Sequence, residues 1–193
     1  MVFIDAFSIS TRPSTHYMWG QKGKQPQVPS NEKNRFRTNG FISVDAITAH
    51  TMVWQNQQAQ SQQVAEFCLR LAREAEKNGI TSLHIVLDNN KTHLQKMKTI
   101  FDILAQEQNL TIQVSWIHTA RYAPKYKLAE YAIAMLRKKA LHHLPTDFTI
   151  EQVCSRIDSI MENENIMTQQ QVFNTIDHIL NTAILGNYSF KEL

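Results

Sequence analysis

The stretch Leu83-His84-Ile85-Val86-Leu87-Asp88-Asn89-Asn90-Lys91-Thr92-His93 decides the fold. Five mostly apolar residues run without a break into an aspartate. A short apolar run bounded by polar residues reads as a strand buried on both faces, of the kind found inside a parallel sheet. Asp88 then stands at the carboxyl end of that strand. Open α/β sheets bind ligands at this place, because the loops diverge there and leave a crevice. The two asparagines that follow are suited to turning the chain and opening a helix. Taken alone, this stretch leaves Asp88 as either a helix-capping or loop carboxylate, or a metal ligand.

Working outward from the strand, apolar periodicity assigns the neighbours. On the amino-terminal side, Ser61 to Asn78 is the clearest helix. Val64, Phe67, Cys68, Leu71, Ala72 and Ala75 recur on one face, and Gly79 supplies the stop. Before it, Phe36 to Val44 and Thr51 to Trp54 read as strands separated by turn-like residues, which favours antiparallel pairing. Val2 to Phe7 reads as the first strand. There Val2 and Ile4 point one way, while Phe3, Asp5 and Phe7 point the other. An acid inside an apolar strand is costly unless it is paired or binds a metal; at a strand end it is simply wet. Residues 8–34 are polar and contain Pro13, Pro26 and Pro29, a long connection expected to hold a hairpin or an exposed lobe. On the carboxyl-terminal side, Leu94 to Gln108 reads as a helix and Leu110 to Ile117 as a strand. A further helix runs from near Tyr126 to His142, with Ala129, Ala132, Ile133, Leu136 and Ala140 on its apolar face. Glu130 lies off the centre of that stripe, beside Lys127 and Arg137.

After Pro145 the composition changes. Thr149-x-x-Gln152 and Thr168-x-x-Gln171 both resemble capping boxes, and each opens a helical pattern. The expected organisation is therefore a first domain over residues 1–144 and an acidic helical appendage over residues 145–193.

A chain of 193 residues, 42% hydrophobic, can bury a full core without disulfides. Its two cysteines, Cys68 and Cys154, form no CxxC pair, so a cysteine zinc site is not expected. No signal peptide and no run long enough to span a bilayer is visible, and the reading is a cytoplasmic protein with no membrane association. The net charge of +3 conceals a segregation. Residues 120–143 carry six Lys/Arg against one acid, while residues 144–193 carry two against seven. A basic segment can hold a polyanion through phosphate contacts, although basic helices are often just solvated faces. There is no nucleophile motif for a Ser/His/Asp triad and no phosphate-cradling glycine loop.

The element order β-β-β-α-β-α-β-α is that of a ribonuclease H-like domain. The expected fold class is α/β, a mixed sheet flanked by helices, with a C-terminal helical appendage. In that order the first and fourth strands lie side by side, and Asp5, Asp88 and Glu130 converge at one end of the sheet. Such a cluster repels itself unless cations neutralise it. Oxygen-only ligands favour Mg²⁺ or Mn²⁺ over zinc, and two such ions can activate an attacking hydroxyl and stabilise the leaving oxygen in phosphoryl transfer.

Three blocks resemble the DDE transposases of bacterial insertion sequences related to the mariner group. Phe3-Ile4-Asp5, with Tyr17-x-Trp19, Gly23 and Pro26, resembles the first-aspartate block. Leu87-Asp88-Asn89 with His93 resembles the second. Tyr122-Ala123-Pro124 followed by Leu128-Ala129-Glu130 resembles the Tyr-Ser-Pro block that ends in the glutamate. The resemblance covers roughly residues 1–143. It implies two Mg²⁺ or Mn²⁺ ions held by Asp5, Asp88 and Glu130, and cleavage and joining of double-stranded DNA at transposon ends. Arg121, Lys125 and Lys127 flank the glutamate and are candidates for DNA phosphate contacts. His93 matches a family position and could contact the scissile phosphate, orient Asp88, or simply cap or pack.

The chain also departs from the family. Ala6 replaces an acid that often follows the first aspartate, and Lys127 replaces an asparagine. The interval from Asp88 to Glu130 is longer than usual. The family's N-terminal helix-turn-helix region has no counterpart, which implies a missing domain or a separate partner. A homodimer is a further expectation, formed through residues 145–193 in the non-catalytic reading. Two other readings stay open: a non-catalytic relic or recruited DNA-binding or interaction module on the same fold, and a different ribonuclease H-like nuclease acting on RNA or branched DNA.

Overall fold

A computed structural model describes residues 1–11, 20–24, 36–119, 127–142, 144–145 and 147–185, with only the backbone at 183–185. Five strands form one mixed sheet: β1 (Val2–Ser10), β2 (Arg37–Asp45), β3 (Thr51–Asn56), β4 (Ser82–Leu87) and β5 (Gln113–His118). Their spatial order is β3-β2-β1-β4-β5. β1 to β3 form an antiparallel meander, and β4 and β5 join it in parallel. α1 (Ser61–Lys77) and α2 (Gln95–Glu107) carry the crossover connections. α3 (Leu128–Ala140), α4 (Ile150–Asn163) and α5 (Gln169–Leu185) follow β5. This is the ribonuclease H-like arrangement expected from the element order.

The alternation in β1 divides the core into two layers. Val2 and Ile4 face a cluster with Phe67, Cys68, Leu71, Leu83, Ile85 and Leu87, covered by α1 and α2. Phe7 and Ile9 face the opposite cluster, with Ile42, Val44, Leu128, Ala132 and Leu136, covered by α3. Val153 and Ile157 of α4, Val172 of α5, and Ile166 and Met167 between them complete that second cluster. The compositional boundary between 144 and 145 therefore runs through one continuous apolar layer.

Helix ends follow the chemistry of their sequence. Gly79, at φ 76°, closes α1 with Ile80 N–H donating to Ala75 O (3.0 Å) and Gly79 N–H to Glu76 O (2.9 Å). Asn109, at φ 51°, closes α2 in the same way through Leu110 and Ala105. That motif consumes residues 109 and 110, so β5 begins at Gln113 rather than at Leu110. Both expected capping boxes form: Gln152 N–H donates to Thr149 Oγ1 and Gln171 N–H to Thr168 Oγ1, with each glutamine reaching back.

Two strand expectations need correction. β4 is not buried on both faces along its length, because Ser82 and His84 at its start are exposed. Phe36 lies outside β2 and is exposed, whereas Gly40 to Val44 are buried on both faces of a central strand.

Candidate active site

Strand register brings the first two acids together. Phe3 pairs with Val86 across the parallel β1–β4 ladder, so two residues further on Asp5 faces Asp88. β4 ends at Leu87, while β1 continues along β2 to Ser10. The sheet therefore opens beside Asp88, the crevice expected at a strand's carboxyl end.

Each aspartate has one oxygen anchored. Asp5 Oδ1 accepts from the Ala6 N–H at 2.8 Å. Asp88 Oδ1 accepts from the Asn90 N–H at 3.0 Å and is in close contact with His93 Nδ1. Asn90 also accepts from the Thr92 N–H and caps the single 3₁₀ turn, Lys91–His93, that swings His93 under Asp88. His93 is 2% exposed, so it orients Asp88 from inside the fold. The Asp88 carbonyl meets His118 Nδ1 at 3.2 Å, and Asn89 donates to the Thr119 carbonyl, tying the acidic loop to the end of β5.

The other two oxygens share one cation. Lys127 Nζ lies 3.0 Å from Asp88 Oδ2 and 3.4 Å from Asp5 Oδ2. Lys127 is the N-cap of α3, whose first turn carries Glu130. Leu128 and Ala129, both fully buried, fix that turn against the sheet. Glu130 feels the Asp5 charge. Its carboxyl is held above the usual range by burial first, then by the Asp5 charge and a hydrogen bond to Asp5, against the pull of Lys127 and Arg137. Asp88 is affected in the opposite direction. Burial disfavours its charge, but the His93 and Asn90 hydrogen bonds and the Lys127 ammonium together hold it well below the usual carboxylate range. Burial likewise opposes the Lys127 charge, and the two aspartates outweigh it and push the ammonium's pKa up.

Lys127 thus draws Asp5 and Asp88 together at one end of the sheet, and Glu130 stands in the first turn of the helix that Lys127 caps, near enough for the Asp5 charge to raise its pKa. Among the described residues, no three His, Cys, Asp or Glu side chains are gathered as a ready metal cage. The donor set nevertheless fits a hard divalent cation in kind, because it consists of carboxylate oxygens and already accommodates one cation, the Lys127 ammonium. Lys127, expected at a DNA phosphate, is directed at the carboxylates instead. Arg121 and Lys125 lie outside the described residues, as do Tyr17, Trp19, Pro26 and the Tyr122-Ala123-Pro124 segment. Sequence reasoning missed the coupling of Lys127 to both aspartates. Its only signal was a lysine in place of the family's asparagine. A cavity of about 440 Å³ between α3 and α5 is lined by residues including Tyr131, Met135 and Met167, and none of the three acids lines it.

Residues 1–152 match the family described as DDE superfamily endonuclease. The chain belongs to the DDE superfamily endonucleases. No curated protein matches it. Its fold is shared with solved mariner transposase structures. The mariner Mos1 paired end complex with Mg superposes with a TM-score of 0.66 at 15% identity, covering 95% of this chain and 54% of that one. The Mos1 paired end complex with Mn gives 0.65 at 17%, covering 95% and 54%. The catalytic domain of Mos1 mariner transposase gives 0.60 at 11%, covering 96% and 81%. This DDE endonuclease domain spans about half the length of the transposases in the two paired end complexes. Among the described residues, no helix is long and apolar enough to cross a membrane.

Proposed function

We propose that this DDE endonuclease domain is the catalytic part of a metal-dependent transposase, cleaving and joining phosphodiester bonds at transposon ends. The observation that carries the reading is the Lys127 ammonium shared by Asp5 and Asp88 at the end of the paired β1 and β4, with Glu130 in the first turn of the helix that Lys127 caps. Asp5, Asp88 and Glu130 would hold two Mg²⁺ or Mn²⁺ ions. Bound there, such ions lower the pKa of an attacking hydroxyl and neutralise the leaving oxygen. The chain's own residues contribute position. His93 and Asn90 fix one oxygen of Asp88, the Ala6 N–H fixes one of Asp5, and the buried start of α3 fixes Glu130. In cleavage, a water oxygen bonds to phosphorus as the bond to the 3′-oxygen breaks, freeing a 3′-hydroxyl. In joining, that hydroxyl attacks a target phosphodiester by the same exchange.

The partners under this reading are double-stranded transposon ends and target DNA, an N-terminal helix-turn-helix domain or partner that recognises the ends, and a second copy of the chain. Arg121 and Lys125 remain the residues proposed near DNA, while His93, buried behind Asp88, would act through that carboxylate. A specific observation favours a second reading, a non-catalytic module on the same fold: the lysine ammonium between two of the three acids.

Cleavage of duplex DNA carrying candidate ends, with Mn²⁺ present, separates the two readings. Asp88→Asn should lower the rate at least about 100-fold, because several kcal/mol of transition-state stabilisation is lost at about 1.4 kcal/mol per decade. Its circular dichroism should match wild type. Undiminished cleavage by the variant would remove Asp88 from the mechanism, and a wild type that binds DNA without cutting it would establish the non-catalytic module.

A further inference from the structure

Clustered carboxylates at a sheet end need a positive charge, and a buried charge needs a partner. In this chain the partner is built in. Asp5 Oδ1 and Asp88 Oδ1 are both engaged by neighbouring groups, and the two remaining oxygens, Asp5 Oδ2 and Asp88 Oδ2, are the ones Lys127 Nζ contacts. A divalent ion held by Asp5 and Asp88 would meet the same ammonium at these oxygens. The Lys127 side chain is only 13% exposed, and its ammonium contacts both acids. It enters from the cap of α3, directly ahead of Glu130, so the helix that delivers the third acid also delivers the competing cation.

We infer that Lys127 is a resident counter-ion of the metal site. It neutralises Asp5 and Asp88 when no divalent ion is bound, and it competes with that ion for their Oδ2 atoms. Metal loading then requires the ammonium to leave, which its flexible four-carbon stem permits. The inference rests on the reading of the three acids as a metal site. It makes Lys127 a positioning residue and a brake on metal binding, whereas a neutral side chain at this position would leave the two oxygens free.

The test is Mn²⁺ titration by calorimetry on the full chain, comparing wild type, Lys127→Met, Lys127→Arg and Asp88→Asn, with and without duplex DNA. Melting in EDTA provides a second readout. Lys127→Met removes the charge at similar volume and should bind Mn²⁺ at least about tenfold more tightly, since one repelling charge at contact distance is gone. Lys127→Arg keeps the charge and should stay near wild type. In EDTA, Lys127→Met should melt below wild type, because Asp5 and Asp88 then face each other uncompensated, and Mn²⁺ should restore more stability to it than to wild type. Should that variant fail to fold without metal, Lys127→Gln, which retains a donor but no charge, supports the same comparison. Equal Mn²⁺ affinity in folded wild type and Lys127→Met overturns the competition and leaves the metal-site reading standing. An unchanged melt in EDTA overturns the counter-ion role. Absence of Mn²⁺ binding in every chain, even with DNA, overturns the proposed function and this inference together.

Discussion

Asp88 and Glu130 bear the same functional group, stand in one site and are shifted in opposite directions. Asp88 has three partners that prefer its charged form, and they outweigh burial. Glu130 has a carboxylate neighbour and burial, which outweigh Lys127 and Arg137. The sign for stability follows from linkage. Glu130 has a folded pKa above its unfolded value of roughly 4.3. Its charge therefore costs stability at pH above the folded pKa, and the cost disappears as pH falls below the unfolded value. Glu130→Gln in EDTA should accordingly melt higher than wild type at pH 7, with the gain shrinking as the buffer is taken down to pH 4. A gain that persists undiminished at pH 4 would show that the repulsion is not its source. Asp88 contributes in the other sense: its stabilisation is present above the unfolded pKa and is lost as pH falls through the depressed folded one. Asp5 and Asp88 were legible in the sequence, because an aspartate inside an apolar strand and an aspartate ending an apolar run are each unusual, whereas Glu130 reads locally as a surface glutamate and was singled out by element order and the family resemblance. Their couplings were not. Whether Lys127 meets a phosphate or two carboxylates depends on how α3 enters the sheet end, which no local pattern encodes.

At the scale of elements, periodicity found every strand and helix that forms the sheet and its covering layers, because each buries one face or one stripe against a defined partner. The boundaries moved where tertiary context intervened. Leu110 and Thr111 look like the start of a strand by composition, yet the left-handed turn at Asn109 draws Leu110 back onto α2. β4 reads as doubly buried, yet His84 is exposed. Gly40 shows the converse, a residue whose role emerges only from packing. It faces Phe7 across the β1–β2 ladder, and a Cβ there would lie 2.6 Å from the Phe7 ring and 3.0 Å from Ile9 Cδ1. Phe7 and Ile9 are both buried, so the ring cannot simply swing out to solvent. Gly40→Ala should destabilise the domain by about 1–3 kcal/mol, the usual cost of forcing an extra carbon into a packed core. The measurement is the denaturant midpoint at constant m-value, and an unchanged midpoint would mean that β1 shifts freely against β2.

For the molecule as a whole, the question is whether residues 145–193 form an appendage or a structural part of the domain. Composition separates them, since the acidic, capped helices after Pro145 look unlike the chain before it. Packing joins them. Val153, Ile157, Ile166, Met167 and Val172 lie in the same apolar layer as Phe7, Ile9, Leu128 and Leu136, the layer that seats the start of α3 and hence Glu130. Gln55 of β3 adds a polar tie, donating to the Cys154 carbonyl and to Asp158 of α4. A chain cut after Leu144 would expose that layer along β1, β2 and α3. It should lose cooperative unfolding and bind a hydrophobic dye, as a domain does when its packing is lost but its secondary structure remains. Ile157→Ala in the full chain sets the scale. It should cost about 2–5 kcal/mol while unfolding stays cooperative. A truncated chain that unfolds in one sharp transition, without dye binding, would make residues 145–193 a separable unit. The candidate site would then owe its geometry to the sheet and α3 alone. If the truncation collapses as expected, the acidic helices are the outer wall of the layer that holds the third carboxylate in place, and lesions in them should weaken Mn²⁺ binding without touching a ligand.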